Sequence, residues 1–207
     1  ALEVLLFRSL FRNNRAELRP GPRLVFGEEK LLWLAAIVFH WSFLIILLRH
    51  LRFFLEPVPG FVTLLATVDG FFQVGLPIIY VTDLAILAGL VYLLARRLAD
   101  AQVRYLSLVS DYVALWLLLG LAGTGVLMRY FTRVDVVAAK QYALGLVTGQ
   151  PTLPATLDGW FFVHVAMVSA LLIYFPFSKL MHMAGVLLSP TRNLANTNRM
   201  KRHINPW

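Results

Sequence analysis

The chain contains no cysteine, which excludes disulfides, thiolate catalysis and iron–sulfur clusters held by its own side chains. Any redox centre must use other ligands. Charge is scarce too: Asp, Glu, Lys and Arg make up 14% of the 207 residues, against 59% hydrophobic residues and a mean hydropathy of +0.71. Soluble domains are about 45–50% apolar, so a soluble fold has nowhere to bury this much apolar surface. Acidic residues are the rarer sign, 11 against 19 Lys and Arg, giving a net charge of +8. Basic residues beside apolar runs ordinarily set membrane topology and meet anionic lipid, so lipid, not nucleic acid, is the expected partner.

Four apolar runs are long enough to cross a hydrocarbon core of about 30 Å as helices: Leu31–Leu55, Leu76–Ala95, Ser107–Met128 and Trp160–Leu187. The predicted fold is all-α, a polytopic transmembrane bundle spanning residues 31–188, between a basic leading segment (1–30) and a tail (189–207). The sequence opens on Ala1, and Ala1–Arg12 reads as a helix end entering a basic loop, so an earlier span is expected before it. The stretch from Glu56 to Gly75, with its prolines and Asp69, suits an interfacial segment. Val134–Val147, with Asp135 and Lys140, suits an amphipathic surface helix.

Lys and Arg divide unevenly between the two sides. Arg8, Arg12, Arg15, Arg19, Arg23 and Lys30, then Arg96, Arg97 and Arg104, then Lys179, Arg192, Arg199, Lys201 and Arg202 fall on one side. Arg49, Arg52, Arg129, Arg133 and Lys140 fall on the other. The richer side is expected to face the cytoplasm, as in a multi-pass protein of a cytoplasmic membrane.

Ionisable residues inside a membrane are costly and are functional candidates by default. The first span carries His40 and His50, and the fourth carries His164 and His182. Eighteen residues are five helical turns, so on a continuous helix His164 and His182 share a face about 27 Å apart, whereas His40 and His50 lie about 15 Å apart. The first and fourth spans run in opposite directions. His40 therefore pairs with His182 on the cytoplasmic side, and His50 with His164 on the outer side. The unequal spacings require a tilt between the helices or the haem planes. Two neutral imidazoles as axial ligands of haem iron leave no position open for oxygen, which suits electron transfer. Zinc is the poorer reading, because two histidines about 15 Å apart on one helix cannot share an ion and H-E-x-x-H is absent. A proton-relay transporter and a structural anchor for a soluble enzyme are the rival classes.

The runs Val38-Phe39-His40 through Arg49-His50, Phe161-Phe162-Val163-His164, and Phe175-Pro176-Phe177-Ser178-Lys179-Leu180-Met181-His182 resemble the cytochrome b (gamma) subunit of respiratory nitrate reductase. The resemblance covers most of residues 31–188, including Leu157-Asp158-Gly159. It implies two haem b groups on the pairs His40/His182 and His50/His164, and quinol oxidation near the outer one. Glu56–Gly75 departs from that family in lacking a lysine associated with quinol binding. The tail, Ser189 through Trp207, is more similar to the related cytochrome (DsrM) of the sulfite-reduction-associated Dsr complex. That likeness implies a heterodisulfide-reductase-type iron–sulfur partner in the cytoplasm, other membrane-complex subunits, and sulfur metabolism. The chain would then be an electron-transfer subunit of a quinol-linked oxidoreductase, using menaquinone or ubiquinone.

Other residues carry weaker signals. Asp83, roughly 10 Å into the second span, serves either a structural hydrogen bond or a proton path from quinone. Arg49, beside His50, is expected to meet a haem propionate rather than snorkel. Pro176 denies the carbonyl of Leu172 its helical partner and should bend the last span. Gly120, Gly123 and Gly125 allow close approach of a haem or a helix. His203, in a basic tail, is expected to be exposed rather than a ligand.

Overall fold

The structure, a computed structural model, describes residues 2–11, 15–21, 23–70 and 77–182. Two short helical turns, α1 (Leu2–Leu5) and α2 (Arg8–Phe11), come first. They lie along the first long helix, where Trp33 Nε1 donates to the Leu6 carbonyl (2.7 Å) and Trp41 Nε1 to that of Leu5 (3.1 Å). The basic leading segment departs from the all-α expectation: β1 (Arg15–Arg19) and β2 (Arg23–Gly27) pair antiparallel, with Arg15 opposite Gly27 and Arg19 opposite Arg23. Pro20 and Gly21 make the reversal, with Gly21 at φ +81°, a conformation that glycine enters without steric cost.

Helix α3 (Lys30–His50) is apolar and free of Gly and Pro throughout, and runs on into a 3₁₀ turn at Leu51–Phe53. The interfacial segment holds α4 (Gly60–Asp69), which starts directly after Pro59. The second predicted span is α5 (Val81–Ala99), five residues later than the sequence pattern placed its start. Asp100 then caps α6 (Ala101–Leu106), accepting from the N–H groups of Gln102 and Val103. Helix α7 (Val109–Leu127) passes into a π-helical turn, Met128–Thr132. The expected surface helix is α8 (Val136–Thr148), capped by Asp135 and ended by Gly149 at φ +73°. Helix α9 (Gly159–Tyr174) begins at the Asp158 cap.

Among the described residues, three segments, Lys30–Phe53, Val109–Thr132 and Gly159–Phe177, are long and apolar enough to cross a bilayer. Helix α5 is of similar length, but Asp83, Arg96 and Arg97 lie along it. Its polar face turns inward: Thr82, Asp83 and Gly89 are buried together with Ile86, Leu90 and Leu94. Helices α3, α5, α7 and α9 pack in sequence order, each on the next. Ile86, Leu90 and Leu118 form the shared core, lined by Phe39, Phe43 and Leu180. Helices α3 and α5 approach closely at Gly89, where a Cβ would stand 3.3 Å from Phe39 Cβ and 3.4 Å from the Ala35 carbonyl. Large apolar side chains such as Leu44, Leu47, Trp116 and Leu172 face outward, as they must where lipid is the solvent. On α8 the buried positions are Ala138, Ala139, Ala143 and Gly145, while Val136, Val137 and Val147 are exposed.

Candidate metal centre

His40 and His182 come together, their ring centroids 5.8 Å apart with the planes at 79°. His50 is the last residue of α3, and His164 lies in the second turn of α9. All four rings share one arrangement. Nδ1 of His40 meets the Ala36 carbonyl at 2.7 Å, Nδ1 of His50 the Ile46 carbonyl at 2.7 Å, and Nδ1 of His182 the Lys179 carbonyl at 2.9 Å. Nδ1 of His164 meets Thr124 Oγ1 at 2.9 Å, and that hydroxyl gives its single proton to the Leu121 carbonyl (3.0 Å). A carbonyl accepts and cannot donate, and the spent hydroxyl can only accept, so in all four rings Nδ1 carries the proton. The Nε2 lone pair is left for a metal. Fixing the tautomer through the far nitrogen is how metal-bound histidines are normally oriented.

The route by which His182 reaches His40 differs from the continuous span expected to Leu187. Helix α9 stops at Tyr174, and Phe175–Phe177 form a 3₁₀ turn containing Pro176. Ser178 is then fully extended and caps a second 3₁₀ turn, Lys179–Met181. The expected bend is a complete break, and residues 183–187 lie outside the described residues. From His164 to Tyr174 is ten residues, the same as from His40 to His50. The eight residues beyond no longer add the roughly 12 Å that eight helical residues would, which relieves the mismatch in spacing. Phe7 and Phe39 pack edge-on against His40, at 4.9 and 4.8 Å between centroids.

A haem with two axial imidazoles fits these residues. His40 and His182, with ring centres 5.8 Å apart, would hold one such group between them. Among the described residues no three His, Cys, Asp or Glu side chains gather as a metal cluster.

Beside His50 lies a buried ionic network. Arg49 Nη2 donates to Asp83 Oδ1 (2.8 Å) and Thr82 Oγ1 (3.3 Å), and Nε lies 3.2 Å from Asp69 Oδ2. Asp69 accepts from the Thr82 N–H (2.9 Å) and hydroxyl (2.6 Å), so it caps the start of α5 from α4 and meets the positive end of the helix dipole. Tyr130 donates to Asp83 Oδ2 at 2.8 Å and accepts from the Tyr80 N–H. Both guanidiniums stack on Tyr80, Arg49 at 3.7 Å and Arg129 at 4.0 Å from the ring centre. The π turn at Met128–Thr132 brings the consecutive Arg129 and Tyr130 to this one cluster. Arg49, expected to face a haem propionate, has protein carboxylates as its partners here. Asp83 has the structural hydrogen bonds that were one of its two expected roles.

The nitrate reductase gamma subunit family model matches residues 4–200. The chain belongs to this family. It is 47% identical, over 210 aligned positions, to the Hdr-like menaquinol oxidoreductase cytochrome b-like subunit of Archaeoglobus fulgidus, covering 100% of this chain and 62% of that protein. The protein of the same name in Archaeoglobus profundus is 44% identical over 99% of this chain and 61% of its own length. The nitrate reductase gamma chain of Bacillus subtilis is 26% identical over 78% of this chain and 75% of its own. The chain thus spans about three fifths of the length of its Archaeoglobus relatives.

In this gamma-family chain the three glycines of α7 differ in role. A Cβ on Gly125 would touch His164 Cε1 at 3.5 Å, one on Gly120 would collide with the flexible end of Met167, and one on Gly123 would meet nothing within 4 Å. Sequence reading did not single out Thr124, although a lone hydroxyl among these glycines marked the position. It also passed over Asp69, Arg129, Tyr80 and Tyr130, whose signal was two carboxylates and two arginines at one end of the bundle. His203 and the tail lie outside the described residues.

Proposed function

We propose that the chain is a dihaem cytochrome b subunit that exchanges electrons between menaquinol and a cytoplasmic iron–sulfur partner of the heterodisulfide-reductase type. The observation that carries this reading is the common tautomer of His40, His50, His164 and His182, each with Nδ1 tied down and Nε2 free. Haem b, when bound, supplies one-electron redox chemistry and offers no open iron position. His40 and His182 hold one group, and His50 and His164 the other. Menaquinol is taken from the names of the two Archaeoglobus relatives, and the iron–sulfur partner from the likeness to the Dsr-complex cytochrome. Dissimilatory sulfur metabolism is the setting, on the likeness of the tail to the Dsr-complex cytochrome.

Four spans are proposed, α5 being the second, with its charged groups shielded between α3 and α7. The end of the bundle bearing Arg96, Arg97 and Lys179 faces the cytoplasm, and the Arg49 end faces outward. A proton relay needs both nitrogens of each histidine in a hydrogen-bonded chain. The proton-relay transporter is the rival reading. Quinol oxidation of the nitrate reductase type is the second reading, favoured by the Bacillus subtilis relative. Pyridine haemochrome assay of the purified protein tests the proposal: two b haems per chain are expected, and absence of a b-type band refutes it.

A further inference from the structure

His182 stands beyond the break in α9, at the end of a lone 3₁₀ turn in which its N–H bonds to the Lys179 carbonyl, and that turn must itself be held against the bundle. The link that holds it runs through Lys179. Its carbonyl accepts the His182 Nδ1–H at 2.9 Å, and its Nζ donates to Asp111 Oδ1 at 2.8 Å. Asp111 is a firm anchor, only 11% exposed at its side chain. Its Oδ2 accepts from the Leu108 N–H at 2.9 Å at the start of α7, and Arg97 Nη1 of α5 lies 3.5 Å away. Arg97 is held in turn by Ser107 Oγ at 2.7 Å. The last residue of α9 is fastened to the same place, since the Tyr174 hydroxyl donates to the Ser110 carbonyl at 3.0 Å. Both sides of the break are therefore tied to the first turn of α7.

We propose that Lys179 is a positioning residue, clamped by Asp111 so that the turn after the break holds His182 opposite His40. The clamp rests on the haem-ligand reading of His182 for its purpose, not for its geometry. A plain topology role, with Lys179 only reaching the cytoplasmic interface, would not involve Asp111. The two are separable because Asp111→Asn keeps the positive charge of Lys179 and removes its anchor.

The experiment uses the full chain in detergent micelles and compares Lys179→Met, Asp111→Asn, the double variant and Lys179→Arg. Amide hydrogen exchange is followed at Leu180 and Met181, whose N–H groups bond to Ser178 Oγ and Ser178 O. Lys179 is 65% exposed, so solvent screening limits the effect to about a two- to fivefold acceleration for each single variant. The double variant is expected to match the singles, since one link is cut twice, and Lys179→Arg to restore protection. In the same samples, the low-spin electron paramagnetic resonance signal of one haem should shift while that of the other stays fixed. Unchanged exchange, or additive effects of the two substitutions, overturns the clamp. Accelerated exchange without the single-haem shift overturns its role in positioning His182. A wild-type protein without b haem overturns the functional reading instead, and exchange alone then decides the clamp.

Discussion

Replacing Arg49 with leucine removes the central cation of the buried network and leaves Asp69 and Asp83 facing each other's charge. Their side chains are 5% and 11% exposed, and that of Arg49 8%, so water screens little of the interaction. The nearest remaining cation is Arg129, whose Nε is 4.0 Å from Asp83. Breaking a buried pair by removing one partner costs about 3–5 kcal/mol, and Arg49→Leu is expected in that range. Asp83→Asn is milder, because Asp69 still neutralises Arg49 and Tyr130 can donate to the new amide oxygen. Loss of the charged hydrogen bond then costs about 1.5–3 kcal/mol. The double variant should fall short of the sum by about 1–3 kcal/mol, the signature of directly coupled residues. SDS-induced unfolding in mixed micelles, read by tryptophan fluorescence, measures all three. A loss below about 0.5 kcal/mol for Arg49→Leu, typical of a surface site, or strict additivity, would refute the reasoning.

Thr124→Val strands the His164 Nδ1–H, costing about 1–3 kcal/mol, and should perturb the spectrum of the haem held by His50 and His164 alone; Thr124→Ser should preserve it. Gly89→Leu forces α3 from α5 where the two helices meet closely and should destabilise by about 1–3 kcal/mol in the same unfolding assay. The backbone N–H groups of Ala138 and Val137, with the Thr156 hydroxyl, hold Asp135 below the usual carboxylate range. A depressed folded-state pKa contributes stability above the unfolded-state value that is lost as pH falls through the folded-state value. Amide exchange in α8 should therefore accelerate only below the ordinary carboxylate range, and Asp135→Asn should abolish that dependence.

Legibility in the sequence followed distance along the chain. Spans one, three and four were plain because uninterrupted apolar residues need no partner to be recognised, and the antiparallel order alone gave the expected pairing of the histidines. The start of α5 was placed early because the apolar run begins before Pro77 while the helix begins only after Tyr80. The strands at Arg15–Arg19 and Arg23–Gly27 hid behind their basic composition, although Pro20-Gly21 is a turn signal. Pro176 announced a bend, but its depth came from Ser178, which takes the extended cap position and restarts the chain in a new direction. The Arg49 network was out of reach for another reason: Asp69, Asp83 and Arg129 are brought to it by three different elements, and no spacing rule connects them. The propionate expectation for Arg49 was formed without those carboxylates in view.

The central claim is that two histidine pairs hold two separate haems, His40 of α3 with His182 beyond the break and His50 of α3 with His164 of α9. Single alanine substitutions of His40, His50, His164 and His182, each assayed by redox-resolved difference spectra of the purified protein, test it most directly. His40→Ala and His182→Ala should abolish the same spectral component, and His50→Ala and His164→Ala the other. If His40→Ala and His182→Ala remove different components, the pairing built on the break after Tyr174 is wrong.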